Sequence, residues 1–345
     1  MTQRSGVLNR PSVVHAGASR RRGLWIPAAG LVLLCALGLV RIFSPVQGGL
    51  LPDRVQDGVT LALSVLIESM PFVVLGIVFS IVVRIWLPEA AIMRVLPRNP
   101  LARRAVVSMI GMFLPVCECG NVPLARGLMV RGLTVAESMT FLFAAPIINP
   151  ITIITTHQAF GFDDGILVGR LVGGFVIANL LGWVFSRHPN PESLLTPRFA
   201  AECRLPEHDE HGSRLERSIR LFGRETAMLL PALFVGAIAA ALVQTLVPRS
   251  VLVALGSNPV WSIAAMLVLA FVISVCSNVD AFFILPFAST FLPGSVVVFL
   301  LFGAMLDIKM IALLRTTFTS RTLLQVATII VLASAAVGVI VNVLA

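Results

Sequence analysis

The sequence predicts an all-α polytopic membrane protein built from two inverted repeats, whose broken or re-entrant helices meet near the midplane of the bilayer. Three observations lead to this prediction. Of the 345 residues, 57% are hydrophobic and only 12% are charged, at a mean hydropathy of +0.94, which is not the composition of a water-soluble domain. Proline and glycine interrupt the apolar stretches at equivalent places in the two halves. Arginine residues lie mainly in the short connections between those stretches, as in membrane proteins that follow the positive-inside rule.

The duplication is visible in short motifs. The sequence Cys-Gly-Asn-Val-Pro at 119–123 returns 157 positions later as Cys-Ser-Asn-Val-Asp at 276–280. Pro71 matches Pro231 at an offset of 160, and the Asn-Pro pair at 99–100 matches the pair at 258–259 at an offset of 159. Helix-breaking residues at corresponding places in two halves are typical of secondary transporters, in which the broken segments form the midplane site.

This pattern divides the chain into five parts. They are a cytoplasmic basic tail at 1–23, an N-terminal anchor helix at 24–43, a first membrane repeat at 56–186, a cytoplasmic linker loop at 187–224 and a second membrane repeat at 225–345. We expect the anchor to be retained, because residues 44–47 offer no small-residue cleavage site. The predicted location is the inner membrane, with multiple passes and a cytoplasmic N-terminus.

The apolar stretches follow in order after the anchor. In the first half they are 59–83, interrupted by Pro71; 105–130, cut by Pro115, Gly120, Pro123 and Gly127; 135–154; and 166–185. In the second half they are 227–246, 260–291, broken around 276–280, 296–314 and 323–344. The broken stretches are read either as full crossings or as re-entrant hairpins, and the hairpin topology places 22 of the 26 cationic residues on the inside. Each half then has three crossings, so the second half is inverted.

Net charge and lysine content exclude other functions. The formal charge of +9 is scattered over short loops, so nucleic-acid binding is not expected. Lys309 is the only lysine, and its neighbours do not form a Walker A loop. The expected partners are a small-molecule or ion substrate and the lipid bilayer, with a homo-oligomer or a partner membrane subunit left open. No cofactor is expected, and the chain is not expected to be an enzyme.

Thiols in the interrupted stretches form the first candidate site. Cys117 and Cys119 lie one residue apart in a turn that proline and glycine make pliable, and Cys276 is the equivalent residue of the second half. Soft thiolates suit thiophilic species, although an intramembrane cysteine also serves as a small hydrophobic filler. The other predicted substrate-binding residues are Asn121, Asn278 and Asn149, and the predicted hinges or helix breaks are Pro115, Gly120, Pro123, Pro146 and Pro150.

Charged residues within apolar stretches form the second candidate site. Each costs about 3 kcal/mol at a helix centre, so such a group faces a cavity, a partner or a proton path. The predicted proton-coupling or counter-charge residues are Glu68, Glu118, Asp280, Asp307 and Lys309, with Arg126 and Arg170 as further partners. Simple ion pairing is the alternative. Asp307 and Lys309 are predicted not to face each other, being two apart on a helix, and Glu137 and Glu225 are predicted to be helix-end acids.

The linker loop carries Cys203, His208 and His211. These residue types bind metals, but three of them in a polar loop are a weak pattern. A solvated linker is the preferred interpretation.

Several motifs together resemble the predicted permeases that include the organoarsenical efflux permeases. They are Pro-Val-Cys-Glu-Cys-Gly-Asn-Val-Pro-Leu-Ala-Arg-Gly at 115–127, Phe-Leu-Phe-Ala-Ala-Pro-Ile-Ile-Asn-Pro at 141–150, Cys-Ser-Asn at 276–278 and Asp-Ile-Lys at 307–309. The resemblance implies an inner-membrane permease, in some members exporting trivalent organoarsenicals, with Cys117 and Cys119 as the metalloid ligands. Glu118 departs from the small residue usual in that family, which points to a different substrate.

Two other function classes stay open. An intramembrane thiol oxidoreductase would form a reversible disulfide between Cys119 and Cys276, which requires Cα atoms within about 7 Å. A membrane scaffold for a partner protein would leave the buried charges unexplained. The preferred function is a permease that works by alternating access and is driven by the proton gradient.

Overall fold

The computed structural model of this chain describes residues 53–88, 94, 96–113, 116–162, 165–204, 213–246, 259–288 and 291–344. Within these residues the fold is helical, apart from one isolated antiparallel bridge between Leu195 and Phe318. The predicted basic tail and anchor helix lie outside the described residues, as do Pro115, His208 and His211.

The described part contains thirteen α-helices. They are α1 Asp53–Ile81, α2 Pro100–Met109, α3 Glu118–Val130, α4 Val135–Ala144, α5 Pro150–Phe160, α6 Ile166–Ser186, α7 Pro197–Arg204, α8 Arg214–Leu246, α9 Pro259–Ile273, α10 Asp280–Ile284, α11 Pro293–Met305, α12 Ile308–Leu314 and α13 Ser320–Leu344. A π-helical turn, Val82–Trp86, extends α1, and 3₁₀ turns follow α2, α6 and α10.

Four of these helices are continuous, apolar and long enough to cross a bilayer: α1, α6, α8 and α13. The stretch Pro293–Leu314 also qualifies by length and composition, but it is interrupted at Leu306 and Asp307, where α11 ends and α12 has not begun. Large apolar side chains such as Ile67, Val235 and Leu332 are at least 65% exposed, as lipid-facing residues are. The prediction of an all-α polytopic membrane protein is therefore confirmed.

Two boundary predictions are wrong. Helix α1 runs without a break through Pro71, and α8 runs through Pro231, because membrane helices tolerate proline where neighbouring groups satisfy the freed carbonyls. Helix α8 also begins at Arg214, well before the apolar residues at 227–246 that marked it in the sequence. Its polar first turns belong to the predicted linker loop.

The first interrupted segment, residues 100–130, enters and returns at one end of the molecule. Arg103, near the start of α2, forms an ion pair of 2.7 Å with Glu137, in the first turn of α4. Helix α3 ends at Val130, four residues before the Thr134 cap of α4. The beginning of α2 and the end of α3 therefore both lie beside the start of α4, as the predicted re-entrant hairpin requires.

The second interrupted segment, residues 259–292, has the same construction. Ser262, near the start of α9, donates a hydrogen bond of 2.7 Å to Ser295, near the start of α11. Ser262 and Ser295 follow Arg103 and Glu137 by 159 and 158 positions. Equivalent positions of the two halves thus hold equivalent contacts at the base of each hairpin.

Contacts at the two ends of helix α13 bear on the predicted inversion of the halves. Near its start, Thr322 donates a hydrogen bond to the carbonyl of Leu194, and near its end Asn342 accepts one from the amide of Gly294. Twenty residues separate these contacts, which is about 30 Å along a helix. The 3₁₀ turn that contains Leu194 contacts α4, so the first hairpin begins at the Leu194 end and the second at the Gly294 end. This arrangement supports the predicted inversion of the halves, which stays a prediction.

Close backbone contact fixes the position of α3. A Cβ atom on Gly76 of α1 would clash with the carbonyl oxygen of Gly120. Small residues allow the backbones of membrane helices to approach this closely. The beginning of α3, where the candidate site lies, is thus held directly against α1.

Candidate functional site

The break of the first hairpin ends at Cys117. Its backbone is extended, with φ −75° and ψ 177°, and its carbonyl oxygen accepts hydrogen bonds from the amides of Gly120 and Asn121 at 3.1 and 3.2 Å. No side chain caps this helix start. Cys117, Glu118 and Cys119 are all buried. The predicted break therefore lies before Glu118, and Gly120 and Pro123 lie within α3 rather than at the break.

The break of the second hairpin covers residues 274–279. Ser274 adopts a positive φ of 50°, which an L-residue rarely does. Cys276 and Ser277 are buried, and α10 begins at Asp280. Both predicted interruptions are thus short non-helical stretches with a buried cysteine.

The two breaks meet at the carboxylate of Glu118. Its Oε2 atom accepts hydrogen bonds from the Ser277 hydroxyl at 2.9 Å, from the Ser277 amide at 3.4 Å and from the Cys276 thiol at 3.7 Å. Glu118 is 1% exposed. One side chain of the first half therefore joins the backbone and side chains of the second.

Two thiols from different halves lie beside this carboxylate. The sulfur atoms of Cys117 and Cys276 and a carboxylate oxygen of Glu118 all lie within 4.8 Å of one another. Cys119 does not belong to this group, although it is fully buried. Cys117 therefore interacts with both thiols, but the close group of three donors contains Cys276 and Glu118 rather than Cys119.

Lys309 lies on the other side of Glu118. Its Nζ atom lies 3.1 Å from Glu118 Oε1 and 3.5 Å from Asp307 Oδ2, and it donates to the carbonyl oxygen of Ser274 at 3.0 Å. The prediction that Asp307 and Lys309 do not face each other is wrong. Asp307 precedes α12 as its N-cap, with its Oδ1 accepting from the Met310 amide at 2.6 Å, so helical spacing does not apply to the pair.

Arg170 of α6 holds the second break in place. Its guanidinium group forms two contacts with the carboxylate of Asp280, at 2.6 and 2.9 Å. It also donates to the carbonyl of Ser277 at 3.3 Å and to the hydroxyl of Thr156 at 2.8 Å. Asp280 is therefore committed to a buried ion pair that positions Ser277, the residue that contacts Glu118.

The three predicted asparagines have different surroundings. Asn149 caps α5 and donates to the carbonyl oxygen of Val116 at 3.0 Å, so it supports the first break. Asn278 accepts a hydrogen bond from Thr152 at 3.3 Å. Asn121 is fully buried, and among the described residues its side-chain amide has no hydrogen-bond partner. It lies one turn after Glu118 on the same face of α3.

The remaining predicted residues lie around this cluster. Pro150 is the first residue of α5, and the carbonyl of Pro146, in the turn after α4, accepts a hydrogen bond from Thr152 at 3.0 Å. Glu68 of α1 is half-buried and interacts with the Cys276 thiol and with the charges of Lys309 and Glu118. Glu137 completes a capping box with Thr134, so the prediction of a helix-end acid is confirmed there.

A second ionic cluster, which the sequence analysis missed, lies where α3 meets the linker. Arg126 contacts Glu225 at 3.3 Å and Glu202 at 3.1 Å, and Arg84 contacts the same two carboxylates at 3.0 and 2.9 Å. The ring of Phe199 stacks under the Arg126 guanidinium at 4.0 Å. The sequence indicated only Arg126, as a charged residue within an apolar stretch.

This cluster corrects two predictions. Glu225 is not a helix-end acid, because it lies in the middle of α8 and is fully buried. The linker is not merely solvated either, because its helix α7 places Glu202 and Phe199 into the cluster. Burial raises the pKa of Glu202, but the guanidinium groups of Arg126, Arg84 and Arg224 outweigh it and hold that pKa below the ordinary value.

Comparisons with known proteins agree with this architecture. A family profile described as "Predicted permease" matches residues 55–343. The chain is 34% identical over 274 residues to "UPF0718 protein YcgR" of Bacillus subtilis, covering 78% of this chain and 91% of the relative. It is 32% identical over 282 residues to the "Putative two-component membrane permease complex subunit" of Streptococcus mutans, covering 80% of this chain and 91% of the relative. No solved structure gives a significant match to the chain.

Proposed function

The chain belongs to the predicted permease family, and from this premise we propose that it exports a small thiophilic solute, such as a trivalent organoarsenical or another metalloid or metal species, across the inner membrane. Transport proceeds by alternating access and is coupled to the proton gradient. The N-terminus lies in the cytoplasm.

One observation carries this proposal: the Cys117 and Cys276 sulfurs and the Glu118 carboxylate lie within 4.8 Å of one another. They lie where the two interrupted segments meet, and the contacts at the bases of the two hairpins support the predicted entry from opposite ends. Soft sulfur ligands select soft solutes. Non-helical backbone at such a place is tolerated in a membrane protein where protein buries it or a cavity solvates it, and it is typical of transporter sites.

Alternating access requires that the two ends open in turn. At the linker end, the cluster of Arg84, Arg126, Glu202 and Glu225 ties α1, α3, α7 and α8 together. Its release would free the end of α3, whose beginning carries Cys117 and Glu118. We therefore assign this cluster to the closing of the cytoplasmic end.

Among the predicted acids, Glu118 and Glu68 suit proton coupling best. Asp280 is held by Arg170, and Asp307 caps α12. Glu118 contacts both the Cys276 thiol and Lys309, and Glu68 interacts with the same two groups. A carboxylate that lies between the cargo ligands and a counter-charge is positioned to couple cargo binding to its own protonation.

A partner subunit is part of the proposal. The Streptococcus mutans relative is named as a subunit of a two-component membrane permease complex. Since that relative covers most of this chain, we propose that this chain also assembles, with a second membrane subunit or with a further copy of itself.

The test is resistance in a sensitive host. We compare wild type, Cys117→Ser, Cys276→Ser and Cys119→Ser during challenge with trivalent organoarsenicals, arsenite, antimonite and thiophilic metals. Cys117→Ser and Cys276→Ser are expected to abolish tolerance to the same compound. A loss in Cys119→Ser equal to that in Cys117→Ser would instead support the pair implied by the family resemblance.

Cys203→Ser is the matched control. Cys203 lies in α7 outside the site, and burial, followed by the charge of Glu202, raises the pKa of its thiol to about 11, so it is largely protonated at neutral pH. If no compound separates the wild type from Cys117→Ser, the thiol site is not used for transport.

A thiol oxidoreductase is the second candidate, and the proximity of Cys117 and Cys276 favours it. The relevant pair is then Cys117 with Cys276 rather than Cys119 with Cys276. Alkylation after reduction and after oxidation distinguishes the functions: a disulfide that forms and breaks reversibly supports the oxidoreductase, and thiols that stay reduced but are protected by cargo support the permease.

A further inference from the structure

We propose that the cargo is a thiophilic divalent metal cation, bound by Cys117, Cys276 and Glu118, and that Lys309 is the fixed counter-charge that orients Glu118 for this purpose. The inference rests on the proposed function, because it names the substrate class of the same site.

The spacing of the donor atoms fits a metal ion. A zinc ion binds thiolate sulfur at about 2.3 Å and carboxylate oxygen at about 2.0–2.2 Å, so tetrahedral ligand atoms lie about 3.5–3.8 Å from one another. The three donors already lie within 4.8 Å, and the Cys276 sulfur lies 3.7 Å from Glu118 Oε2. Small side-chain movements complete the set.

The chemical composition of the set also favours a cation over a neutral arsenical. A trivalent organoarsenical forms two bonds to two thiols and needs no carboxylate. Glu118 adds a hard anionic oxygen to two soft sulfurs, and sulfur with oxygen or nitrogen is the mixture found at zinc sites. Binding replaces two thiol protons by one metal ion, so two S–metal bonds form and two protons leave.

Lys309 completes the electrostatic balance. A divalent ion with two thiolates and one carboxylate carries one net negative charge, which is costly in a buried site unless it is paired. The Lys309 ammonium lies 3.1 Å from Glu118 Oε1, leaving Oε2 on the side of Cys276. Hydrogen-bonded partners of this kind orient metal-binding carboxylates. Asp307 and the Ser274 carbonyl hold the ammonium from behind.

Asn121 supplies an independent sign of a ligand. Its side chain is fully buried, and both its oxygen and its nitrogen lack a hydrogen-bond partner among the described residues. Buried polar groups are normally satisfied, so an exception calls for an explanation. Lying one turn after Glu118 on the same face of α3, the amide oxygen is placed as a fourth ligand or as a partner of a metal-bound water.

The experiment measures Cd²⁺ binding to the purified full-length protein in detergent, followed by the ultraviolet thiolate-to-cadmium absorption band. The wild type is expected to bind one Cd²⁺ through two sulfurs. Cys117→Ser and Cys276→Ser are expected to lose the band, while Cys203→Ser keeps it. Glu118→Gln is expected to weaken binding by about 10- to 100-fold, and Lys309→Met by about tenfold, as losses of ligands and of their orienting partners do. Lys309→Arg, which keeps the charge, should recover part of the affinity.

A parallel titration with a trivalent phenylarsenical distinguishes a selective loss of the cation site from misfolding of the variant. Glu118→Gln and Lys309→Met are expected to retain arsenical binding through Cys117 and Cys276, because two thiols suffice, and to lose Cd²⁺ affinity selectively. If either variant fails to give a monodisperse protein, the double variant Glu118→Gln with Lys309→Met, which removes both charges together, replaces it and should show the same selective loss of Cd²⁺.

Each outcome decides between the proposals. Arsenical binding that depends on Cys117 and Cys276, without Cd²⁺ binding, overturns the cation inference and leaves the thiophilic permease standing. Cd²⁺ affinity within twofold of wild type in Glu118→Gln also overturns it. If neither Cd²⁺ nor the arsenical binds through Cys117 and Cys276, the proposed function is overturned as well.

Discussion

Buried charges in this protein are paired with particular partners, and those partners decide what a single substitution does. Arg170 is fully buried, and its guanidinium group holds Asp280, Thr156 and the Ser277 carbonyl at once. Removing one member of a buried pair leaves the other charge without compensation, which costs about 3–5 kcal/mol, whereas removing both costs far less.

We therefore expect Asp280→Asn to lower the free energy of unfolding by about 3 kcal/mol. The double variant Arg170→Gln with Asp280→Asn should recover most of that loss, because no charge stays unpaired. The measurement is thermal unfolding in detergent for the wild type, both single variants and the double variant. Additive losses in the double variant would show that the two side chains act independently and would contradict the pairing.

At the scale of helices, some starts could be predicted and others could not. The Asn-Pro pairs at 99–100 and 149–150 place a capping side chain before a proline at the first helical position, and both begin a helix. Pro71 and Pro231 follow Met70 and Leu230, which cannot cap a helix through a side-chain oxygen, and both prolines lie inside long helices. Asp307 was taken for a helix-interior residue, since its capping role depends on a break with no proline or glycine to mark it.

The linker helix α7 shows why polar connections are difficult to interpret from sequence. Its contribution comes from Glu202, which contacts Arg84, Arg126 and Arg224 from three other parts of the chain. Nothing in the local sequence distinguishes this glutamate from the exposed Glu216 of α8, which pairs with Arg220 one turn away.

We expect Glu202→Gln to destabilise the protein at neutral pH by about 2 kcal/mol, because it removes a charged hydrogen-bonding partner from buried guanidinium groups. The pKa of Glu202 is held below its ordinary value of 4.5. Its stabilising effect is therefore fully present above that pH and is lost as the pH falls below it and the folded carboxylate takes up a proton. The midpoint of thermal unfolding, measured from about pH 7 to pH 3, should differ between wild type and variant at the upper end and converge at the lower end.

Glu216→Gln is the matched control. Both members of the Glu216–Arg220 pair are substantially exposed, so the substitution should change stability by no more than about 0.5 kcal/mol. Equal effects of the two substitutions would mean that the linker helix contributes nothing beyond an ordinary surface ion pair.

At the scale of the whole molecule, the candidate site exists only because two distant segments meet. The repeated motifs predicted that residues near 119 and 276 would lie together, and Glu118 does contact Cys276 and Ser277. Which cysteine of the first half joins the second could not be predicted, because it depends on where α3 begins and how it is rotated. That Cys117 rather than Cys119 forms the close group with Cys276 and Glu118 is a property of the three-dimensional fold alone.

Single-cysteine labelling tests the entry of the two hairpins from opposite ends. Arg98 and Arg131 flank the first interrupted segment, while Trp261 and Leu292 lie at the two ends of the second. In a background without native cysteines, we expect a membrane-impermeant maleimide to label Arg98→Cys and Arg131→Cys from one side of the membrane. Trp261→Cys and Leu292→Cys should be labelled from the other side, because the contacts of α13 with Leu194 and with Gly294 lie about 30 Å apart along that helix.

Arg220→Cys, at the exposed start of α8, fixes the side of the linker and should be labelled with the first pair. Labelling of Arg98→Cys and Arg131→Cys from opposite sides would mean that residues 100–130 cross the bilayer fully. In that case Cys117 and Glu118 would line a continuous span rather than the tip of a hairpin, and the meeting of two half-crossings could not be the basis of alternating access.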